Sequence, residues 1–291
     1  GGDGPDDNIG QPVPFWAHEK SYTYGFKFQL TNQYNRNHQF RGGIDYNYYD
    51  IGKDSRPYPT IDNKGTGIYT DVYRVYPSDG AVYIQDKMEF RDITISLGTR
   101  LDYFLPGDQV RSVMAFDSLN ADWNPNFVPF DIPDELKMYL SPRFGASFAI
   151  TSQAYLHAHY GHAYQRPAWD DMFESVNQTQ TGGTPRVGNP DLDPEKTVAF
   201  EVGVSWNPYG DYLVDVTGFL KDVKNWINTR QGKYWYPERF GTDLIGMNYA
   251  IFDNQDYAFA RGVEFNFSKE YGGNYSGRLT YTLAWVNAKN S

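Results

Sequence analysis

Two histidines at alternate positions are the first residues whose spacing could support chemistry. His157 and His159 would lie on one face of a strand, where two imidazoles can hold a metal ion. The remaining histidines, His18, His38 and His162, do not join them in a recognisable set of three ligands. Histidine is also an ordinary residue of a polar strand face. We therefore predict no metal site.

The adjacent carboxylates Asp170 and Asp171 could divide acid and base roles between them. The segment 167–175 around them is predicted to be a short helix. Neighbouring helical residues diverge by about 100°, so the two carboxylates would not converge on one substrate. Acidic residues in a first turn interact favourably with the helix dipole. We predict a capping or solvated role for this pair.

No other motif predicts catalysis or cofactor binding. The glycine-rich segment 182–188 lacks the Lys-Ser/Thr ending of a phosphate-binding loop. The acidic stretches at 3–7 and 131–135 lack the spacing of an EF-hand. No Ser–His–Asp order can be argued from spacing. The sequence therefore predicts no enzyme, no catalytic residue and no cofactor.

Composition excludes several further classes of protein. The 291 residues include 26 basic and 36 acidic side chains, a net charge of −10, which is unfavourable for binding nucleic acid. Cysteine is absent, so disulfide scaffolds, thiolate nucleophiles and Cys-ligated metal sites are excluded. No run of about 18 apolar residues predicts a transmembrane helix. A membrane-spanning barrel stays possible, because its strands are apolar only at alternate positions.

The elements that must position these side chains are strands. Apolar and polar residues alternate in ten segments, most of them nine or more residues long. Ordinary strands average about five or six residues, whereas a tilted strand needs about 9–11 to cross a bilayer. The segments lie near 21–33, 38–51, 81–90, 92–104, 136–150, 153–165, 195–207, 211–227, 257–270 and 274–288.

The connections between the segments alternate in length. Short ones lie near 34–37, 90–92, 151–153, 208–211 and 271–274, and long ones cover about 52–80, 105–135, 166–194 and 228–256. This rhythm is typical of bacterial outer-membrane barrels, with short periplasmic turns and long extracellular loops. A sheet in lipid must also close, because no water can satisfy an exposed edge. The sequence predicts an all-β, antiparallel transmembrane β-barrel.

Several segments, in their order along the chain, are similar to a known family. They are Val82–Lys87 with Leu97–Tyr103, Ser141–Ser147, Gly188–Thr197, and Asn254–Tyr257 through Arg261–Glu264. Jointly they resemble TonB-dependent outer-membrane receptors. The resemblance is to the type that carries a carboxypeptidase-regulatory-like domain before the plug.

The resemblance implies a barrel of about 22 strands, closed by an N-terminal plug and energised through a TonB box. Residues 1–291 would be a partial barrel of about ten strands, with plug, TonB box and final strands absent. The first residue is Gly1 and the chain stops as a strand ends, so we expect a fragment of a longer protein.

The family's function would then be active import across the bacterial outer membrane. The receptor binds a scarce solute (a siderophore, vitamin, glycan or peptide) and imports it with TonB energy. The implied partners are outer-membrane lipid, the TonB complex through the missing N-terminal part, and the solute. No nucleic-acid partner is expected.

Two groups of residues are candidates for this function. Those predicted to contact solute on the outer loops are Arg166, Trp169, Phe173, Arg186, Tyr234, Trp235 and Tyr236. Those predicted by alternation to face the barrel lumen are Arg100, Arg143, His157, His159, Glu201, Asp215, Glu264 and Arg278.

Two alternatives stay open at the level of sequence. A complete ten-stranded outer-membrane barrel would be a passive pore or a protease. A soluble glycan-binding β protein would bury the apolar faces against a second sheet, with the outer aromatics stacking on sugars.

Overall fold

The computed structural model describes residues 15–57, 71–107, 136–173, 186–237, 244–270 and 274–289. These residues form strands and a single short helix, α1 (Trp169–Phe173). The strands are β1 (Phe15–Gln33), β2 (His38–Pro57), β3 (Asp71–Val75), β4 (Ser78–Glu89), β5 (Ile93–Leu105), β6 (Lys137–Ala149), β7 (Ala154–Gln165), β8 (Arg186–Val187), β9 (Glu195–Trp206), β10 (Tyr212–Pro237), β11 (Leu244–Lys269) and β12 (Gly277–Lys289).

All the strands belong to one sheet. Its path runs β1-β2-β4-β5-β6-β7-β9-β10-β11-β12, each strand antiparallel to the next, and each of the ten predicted segments overlaps one strand of this path. The short strand β3 pairs with the end of β2, and β8 pairs in parallel with β11. Within the described residues, β1 and β12 are the two edges of the sheet and do not pair with each other.

One face of this sheet is mainly apolar along the path, although it also carries charged residues such as Asp86, the partner of Leu97, and Arg261, the partner of Leu220. A row of paired residues in five successive strands, Leu97, Phe144, Tyr160, Phe200 and Leu220, shows the pattern. Each of these side chains is more than a third exposed. An apolar surface of this extent needs an apolar partner, and covering each side chain contributes about 1.5–3 kcal/mol. We call this surface the outward face.

No helix in the described part of the chain is long and apolar enough to cross a membrane. The one helix, α1, has five residues and lies beyond the end of β7.

Four of the turns predicted to be short lie together at one edge of the sheet, the short-turn edge, and the fifth, near 271–274, falls largely outside the described residues. In the first, the side-chain oxygen of Asn35 accepts hydrogen bonds from the backbone N–H groups of Asn37 and His38, at 2.8 and 2.9 Å. An Asn side chain that replaces a backbone acceptor in this way defines a tight turn locally. In the turn before β10, Gly210 adopts a positive φ of 43°, which glycine tolerates without strain.

At the opposite edge, the long-loop edge, two predicted loops contain strands. Most of the predicted loop 228–256 continues β10 and β11, each 26 residues long. The predicted loop 52–80 contains the end of β2, all of β3 and the first residues of β4. These predictions were wrong because alternation is required only where one face meets an apolar environment. A hairpin can continue through its own backbone hydrogen bonds.

A bulge marks the place where the long hairpin leaves the sheet. The β10–β11 register shifts between Val223, Trp226 and Ile227, and Asn225 has a positive φ of 58°. The pairing of β10 with β9 ends at Lys224, and that of β11 with β12 begins at Tyr257. Beyond this point the two strands form a ribbon, and the only strand besides its own two that pairs with it among the described residues is the two-residue β8.

Candidate functional site

Side chains from distant parts of the chain meet in one hydrophobic cluster, which we call the mouth cluster. Its buried members come from β2, β3, β5, α1, the segment after β8, and β11. In the path, β2 and β11 are separated by six intervening strands. The cluster therefore bridges distant parts of the sheet, whose strands we call the wall. The buried residues are Ile51, Tyr73, Val75, Phe104, Met172, Phe173, Leu192 and Ile251.

The helix α1 places Met172 and Phe173 inside this cluster, where their exposed fractions are 0% and 1%. Trp169, four residues earlier, stacks on Phe173 with ring centroids 5.9 Å apart. It stays half-buried and also contacts Tyr49 edge-on at 5.1 Å. A residue pair at i and i+4 lies on one helix face, so a single helical turn is enough to orient both rings.

Arg166 lies at the rim of the cluster. Its guanidinium carbon is 3.4 Å from the ring centroid of Trp169, and one of its N–H groups donates to the carbonyl of Pro167 at 2.8 Å. The carboxylate of Asp79 is 4.0 Å away. Desolvation lowers the pKa of Arg166 from its ordinary value, although a guanidinium stays protonated at any physiological pH. The arrangement presents a cation on an aromatic platform, with about a third of the Arg166 side chain exposed.

Asp79 connects this rim to the wall. It accepts hydrogen bonds from the hydroxyl of Tyr49 and the amide of Asn47, each at 2.8 Å. Both donors belong to β2, and Asp79 belongs to β4. The carboxylate is therefore held by two neutral donors and faces the guanidinium of Arg166 from a fixed position.

The acidic pair of α1 has a structural role. Asp170 accepts hydrogen bonds from the amine of Lys53 at 2.9 Å and from the hydroxyl of Tyr73 at 3.2 Å. Partial burial raises the pKa of Asp171 above its ordinary value, and the neighbouring Asp170 adds to this effect. Asp170 thus anchors the helix to β2 and β3. The capping or solvated role predicted from the sequence did not include this anchor.

The segment after β8 is anchored on the other side of the cluster. The amine of Lys137, on β6, lies 2.8 Å from the carboxylate of Asp191 and 3.4 Å from that of Asp193. Asn254 accepts a hydrogen bond from the backbone N–H of Asp193 at 2.7 Å and donates one to its carbonyl at 2.9 Å. Asn189 donates to the carbonyl of Phe252 at 3.0 Å. These bonds connect β6 to the ribbon of β10 and β11.

The predicted solute-contact residues do not all converge. Arg166 and Trp169 are in contact, while Phe173 is buried beneath them, so a packing role replaces its predicted ligand contact. Arg186 is exposed, with its guanidinium 6.0 Å from the ring of Phe252. The remaining three, Tyr234, Trp235 and Tyr236, belong to strand β10 instead of a loop, and their side chains lie outside the described residues.

The eight residues predicted to face the lumen share the face opposite to the outward one, which we call the polar face. In the register, His159 pairs with Glu201, His157 with Gly203, and Asp215 with Ser205. The other members are Arg100, Arg143, Glu264 and Arg278, which pair with Ser141, Gly161, Thr282 and Ser268.

Hydrogen bonds connect parts of this face across strands. Arg100 donates to Asp45 at 2.9 Å and to Asp102 at 2.7 Å. In a second group, the ring of His157 lies 3.2 Å from the hydroxyl of Thr217, which donates to Asp215 at 3.0 Å. The residues that the structure describes contain no group of three or more His, Cys, Asp or Glu side chains able to hold a metal ion.

Sequence reasoning missed the residues that β2 to β5 contribute to the mouth cluster and to the polar contacts around it. Tyr49 and Phe104 stand at the ends of predicted strands, and Lys53, Tyr73 and Asp79 stand in a predicted loop. No local signal identifies them, because their partners are far away in the chain. Lys53 and Asp170, for example, are separated by 117 positions.

The two-faced antiparallel sheet, with long loops gathered at one edge, defines the wall of an outer-membrane type of β-barrel. The family model described as TonB dependent receptor-like, beta-barrel, matches residues 2–291. The chain therefore belongs to the TonB-dependent receptor β-barrel family. Proteins of this family are receptors of the bacterial outer membrane and not enzymes, in agreement with the sequence prediction.

Solved structures show the same fold. The copper transporter OprC is 16% identical with a TM-score of 0.63, and the match covers 97% of this chain and 40% of OprC. The outer membrane transporter YddB from Escherichia coli is 14% identical with a TM-score of 0.64, covering 94% and 34%. The hemophore receptor HasR of Serratia marcescens is 17% identical with a TM-score of 0.62, covering 93% and 42%. No curated protein matches the sequence.

The predicted fold class, an antiparallel transmembrane barrel of which this chain forms part, is confirmed by the family and by these neighbours. The chain spans about two fifths or less of the length of OprC and YddB. Membership of the receptor family also removes the soluble glycan-binding alternative. The carboxypeptidase-regulatory-like subtype stays a prediction.

Proposed function

We propose that the chain forms part of the wall and mouth of an active importer of the outer membrane. Its polar face lines the path of the solute, and its long-loop edge captures the solute outside the cell. The energy for import comes from the TonB complex, which acts through a segment outside this chain. The reaction is a binding event followed by a conformational change, with no covalent step.

The observation that carries this proposal is the contrast between the two faces of a single sheet. The outward face is lined with large exposed apolar side chains on strands long enough to cross a bilayer. The polar face carries charged side chains, among them Arg100 with Asp45 and Asp102, in hydrogen-bonded groups. Charged side chains of this kind are costly next to lipid and favourable in a water-filled lumen.

The mouth cluster favours a solute with a flat or anionic part. Arg166 and Trp169 together offer a cation and an aromatic surface at one exposed point, where an anionic group can pair and a ring can stack. Receptors of similar fold are named for a siderophore, ferric yersiniabactin and a heme-loaded hemophore. An iron chelate is therefore the first class of solute to test.

The orientation of the wall can be tested with single cysteines, because the chain contains none of its own. Leu279 pairs with Phe267 on the outward face, and Thr280 pairs with Asn266 on the polar face. In the intact protein, a lipid-soluble thiol reagent should label Leu279→Cys, and a charged reagent should label Thr280→Cys. The reverse preference would contradict the assignment of the two faces.

Transport can be tested by growth on iron supplied as ferric siderophores or heme. Cells that depend on the intact protein should lose this growth when TonB is deleted, and Arg166→Ala should weaken binding of an anionic chelate by about 10- to 100-fold. Arg36→Ala, at the short-turn edge, is the matched control. Uptake that persists without TonB would indicate a passive pore.

A further inference from the structure

The helix α1 is too short to hold its own position. It has five residues, and an isolated helix of this length is unstable in water, because forming the first turn costs more than its few hydrogen bonds return. The helix nevertheless carries Trp169, whose ring is the platform for the guanidinium of Arg166. The position of this platform therefore depends on contacts from outside the helix.

Polar contacts hold α1 from two sides. On one side, the carboxylate of Asp170 accepts hydrogen bonds from Lys53 and Tyr73. On the other side, the carbonyl of Asp171 accepts a hydrogen bond from the backbone N–H of Asn189 at 2.8 Å. The last carbonyls of a helix have no partner within it, and this bond satisfies one of them. Asn189 thus connects the end of α1 to the segment after β8.

The direction of the Asn189 N–H group is determined by a local turn. Asn followed by Pro favours a turn, because Pro190 presets the backbone at the second position. The side-chain oxygen of Asn189 accepts a hydrogen bond from the backbone N–H of Asp191 at 2.9 Å, and its carbonyl accepts one from Leu192 at 3.2 Å. Leu192 is buried in the mouth cluster. The turn is therefore fixed by its own hydrogen bonds and by packing.

The side-chain amide of Asn189 connects this turn to the ribbon of β10 and β11. Its N–H group donates to the carbonyl of Phe252 at 3.0 Å, and the whole residue is only 9% exposed. Asn189 therefore bonds in three directions, to α1, to its own turn and to the ribbon. An asparagine side chain supplies the donor and the acceptor together, whereas an ionised aspartate supplies acceptors only.

We infer that Asn189 is a positioning residue for the solute site, which sets the place of Trp169 and Arg166 without touching the solute. The inference rests on the proposed binding role of these two residues. A shift of α1 moves the indole relative to the guanidinium, which lies 3.4 Å from the ring centroid. The attraction between a cation and a ring depends on this geometry. A change at Asn189 therefore alters the affinity for solute even where the barrel stays folded.

The sharpest variant is Asn189→Asp, because the carboxylate still accepts the N–H of Asp191 and only the donor to the ribbon is lost. The intact protein is labelled with fluorotryptophan, and the fluorine NMR resonance of Trp169 is assigned by its absence in Trp169→Phe. In Asn189→Asp this resonance should shift or broaden before any solute is added. The affinity for heme or a ferric siderophore should fall by roughly 5- to 30-fold. Heat-dependent migration on SDS gels should not change.

The matched control is Asn254→Asp, which makes the same chemical change at a second contact between the same segment and the ribbon. The hydrogen bonds of the Asn254 side chain go to Asp193 and Asn225, away from α1. The Trp169 resonance and the affinity should stay as in the original protein. An unchanged Trp169 resonance in Asn189→Asp would overturn the inference. Equal changes in the two variants would also overturn it, because a general loosening of the mouth or the added charge would explain them.

The two arms of the experiment separate this inference from the proposed function. If the original protein binds neither heme nor ferric siderophores, the proposed solute class is wrong. The fluorine resonance, measured without solute, still decides whether Asn189 positions Trp169.

Discussion

The two edges of the sheet are built in different ways. At the short-turn edge a turn can be determined within a few residues, as in the hydrogen bonds that Asn35 accepts from Asn37 and His38. At the long-loop edge the structure depends on residues far apart in the chain, as in the pair of Lys53 and Asp170. The difference separates two kinds of information: the wall is determined by local alternation, and the mouth by tertiary packing.

The variant with the largest expected effect tests whether the mouth cluster can unfold while the sheet stays folded. Phe173→Ala removes a fully buried ring from the mouth cluster, at a cost of about 3–5 kcal/mol to the local fold. Hydrogen exchange of the intact protein should become much faster in α1 and in the segment 186–194. Exchange in β4, β5 and β6 should not change.

The control for this variant is Phe90→Ala, at the short-turn edge, where the ring is 47% exposed. It should leave exchange at the mouth unchanged. If Phe173→Ala accelerates exchange throughout the sheet, the wall and the mouth unfold as one unit, and the proposed division between the two edges is wrong.

The second prediction perturbs the wall and leaves the mouth intact. Tyr83 lies across Gly43, its partner in β2, and a Cβ atom added to Gly43 would come within 2.6 Å of the backbone oxygen of Phe28. Gly43→Ala should destabilise the barrel by about 1–3 kcal/mol, because a backbone atom of a packed sheet cannot easily move away.

Heat-dependent migration of the intact protein on SDS gels measures this loss. Gly43→Ala should unfold at a lower temperature, and Gly277→Ala should behave as the original protein does, because an added Cβ at Gly277 meets nothing within 4 Å. Equal shifts for the two variants would show that the loss of glycine itself, and not the close approach, is responsible.

The smallest expected effect concerns the acidic pair of α1. Burial raises the pKa of Asp171, so the folded mouth holds this proton more tightly than the unfolded chain does. The stabilisation it provides is complete below the ordinary Asp pKa of about 3.9 and is lost as the pH rises through the raised pKa. Asp171→Asn should therefore slow hydrogen exchange of α1 slightly at pH 7 and have no effect near pH 3.

Asp170→Asn should act in the opposite direction at pH 7, because it removes the charge that pairs with Lys53. The effect should be below about 1 kcal/mol, since the Asp170 side chain is largely exposed and the pair is screened by solvent. If both substitutions accelerate exchange, the burial of Asp171 does not oppose the fold of the mouth.

Much of the wall could be predicted from the sequence, because a strand between lipid and a polar lumen must alternate apolar and polar residues. A slip by one position would expose Arg278 to lipid, so the register of β12 follows from its own residues. Short turns could also be predicted from the sequence, since residues such as Asn35 and Gly210 determine them locally.

The mouth could not be predicted in this way. The sequence indicated Trp169 and Phe173 as loop aromatics but gave no sign that Phe173 would be buried against Tyr73, which lies 100 positions away. The ribbon of β10 and β11 was missed because the polar residues of 228–256 resemble those of a loop. The positive φ of Asn225, where the ribbon begins, is visible only in the structure.

The ribbon has a consequence for what the cell presents to its surroundings. From Asn225 to Pro237 it extends about 40 Å at roughly 3.3 Å per residue. A lone pair of strands is only marginally stable in water, so this projection depends on its fastening through Asn254 and Asp193 at the base. With the long-loop edge outside the cell, as proposed, an antibody or a bacteriophage can bind this hairpin at a distance from the membrane surface.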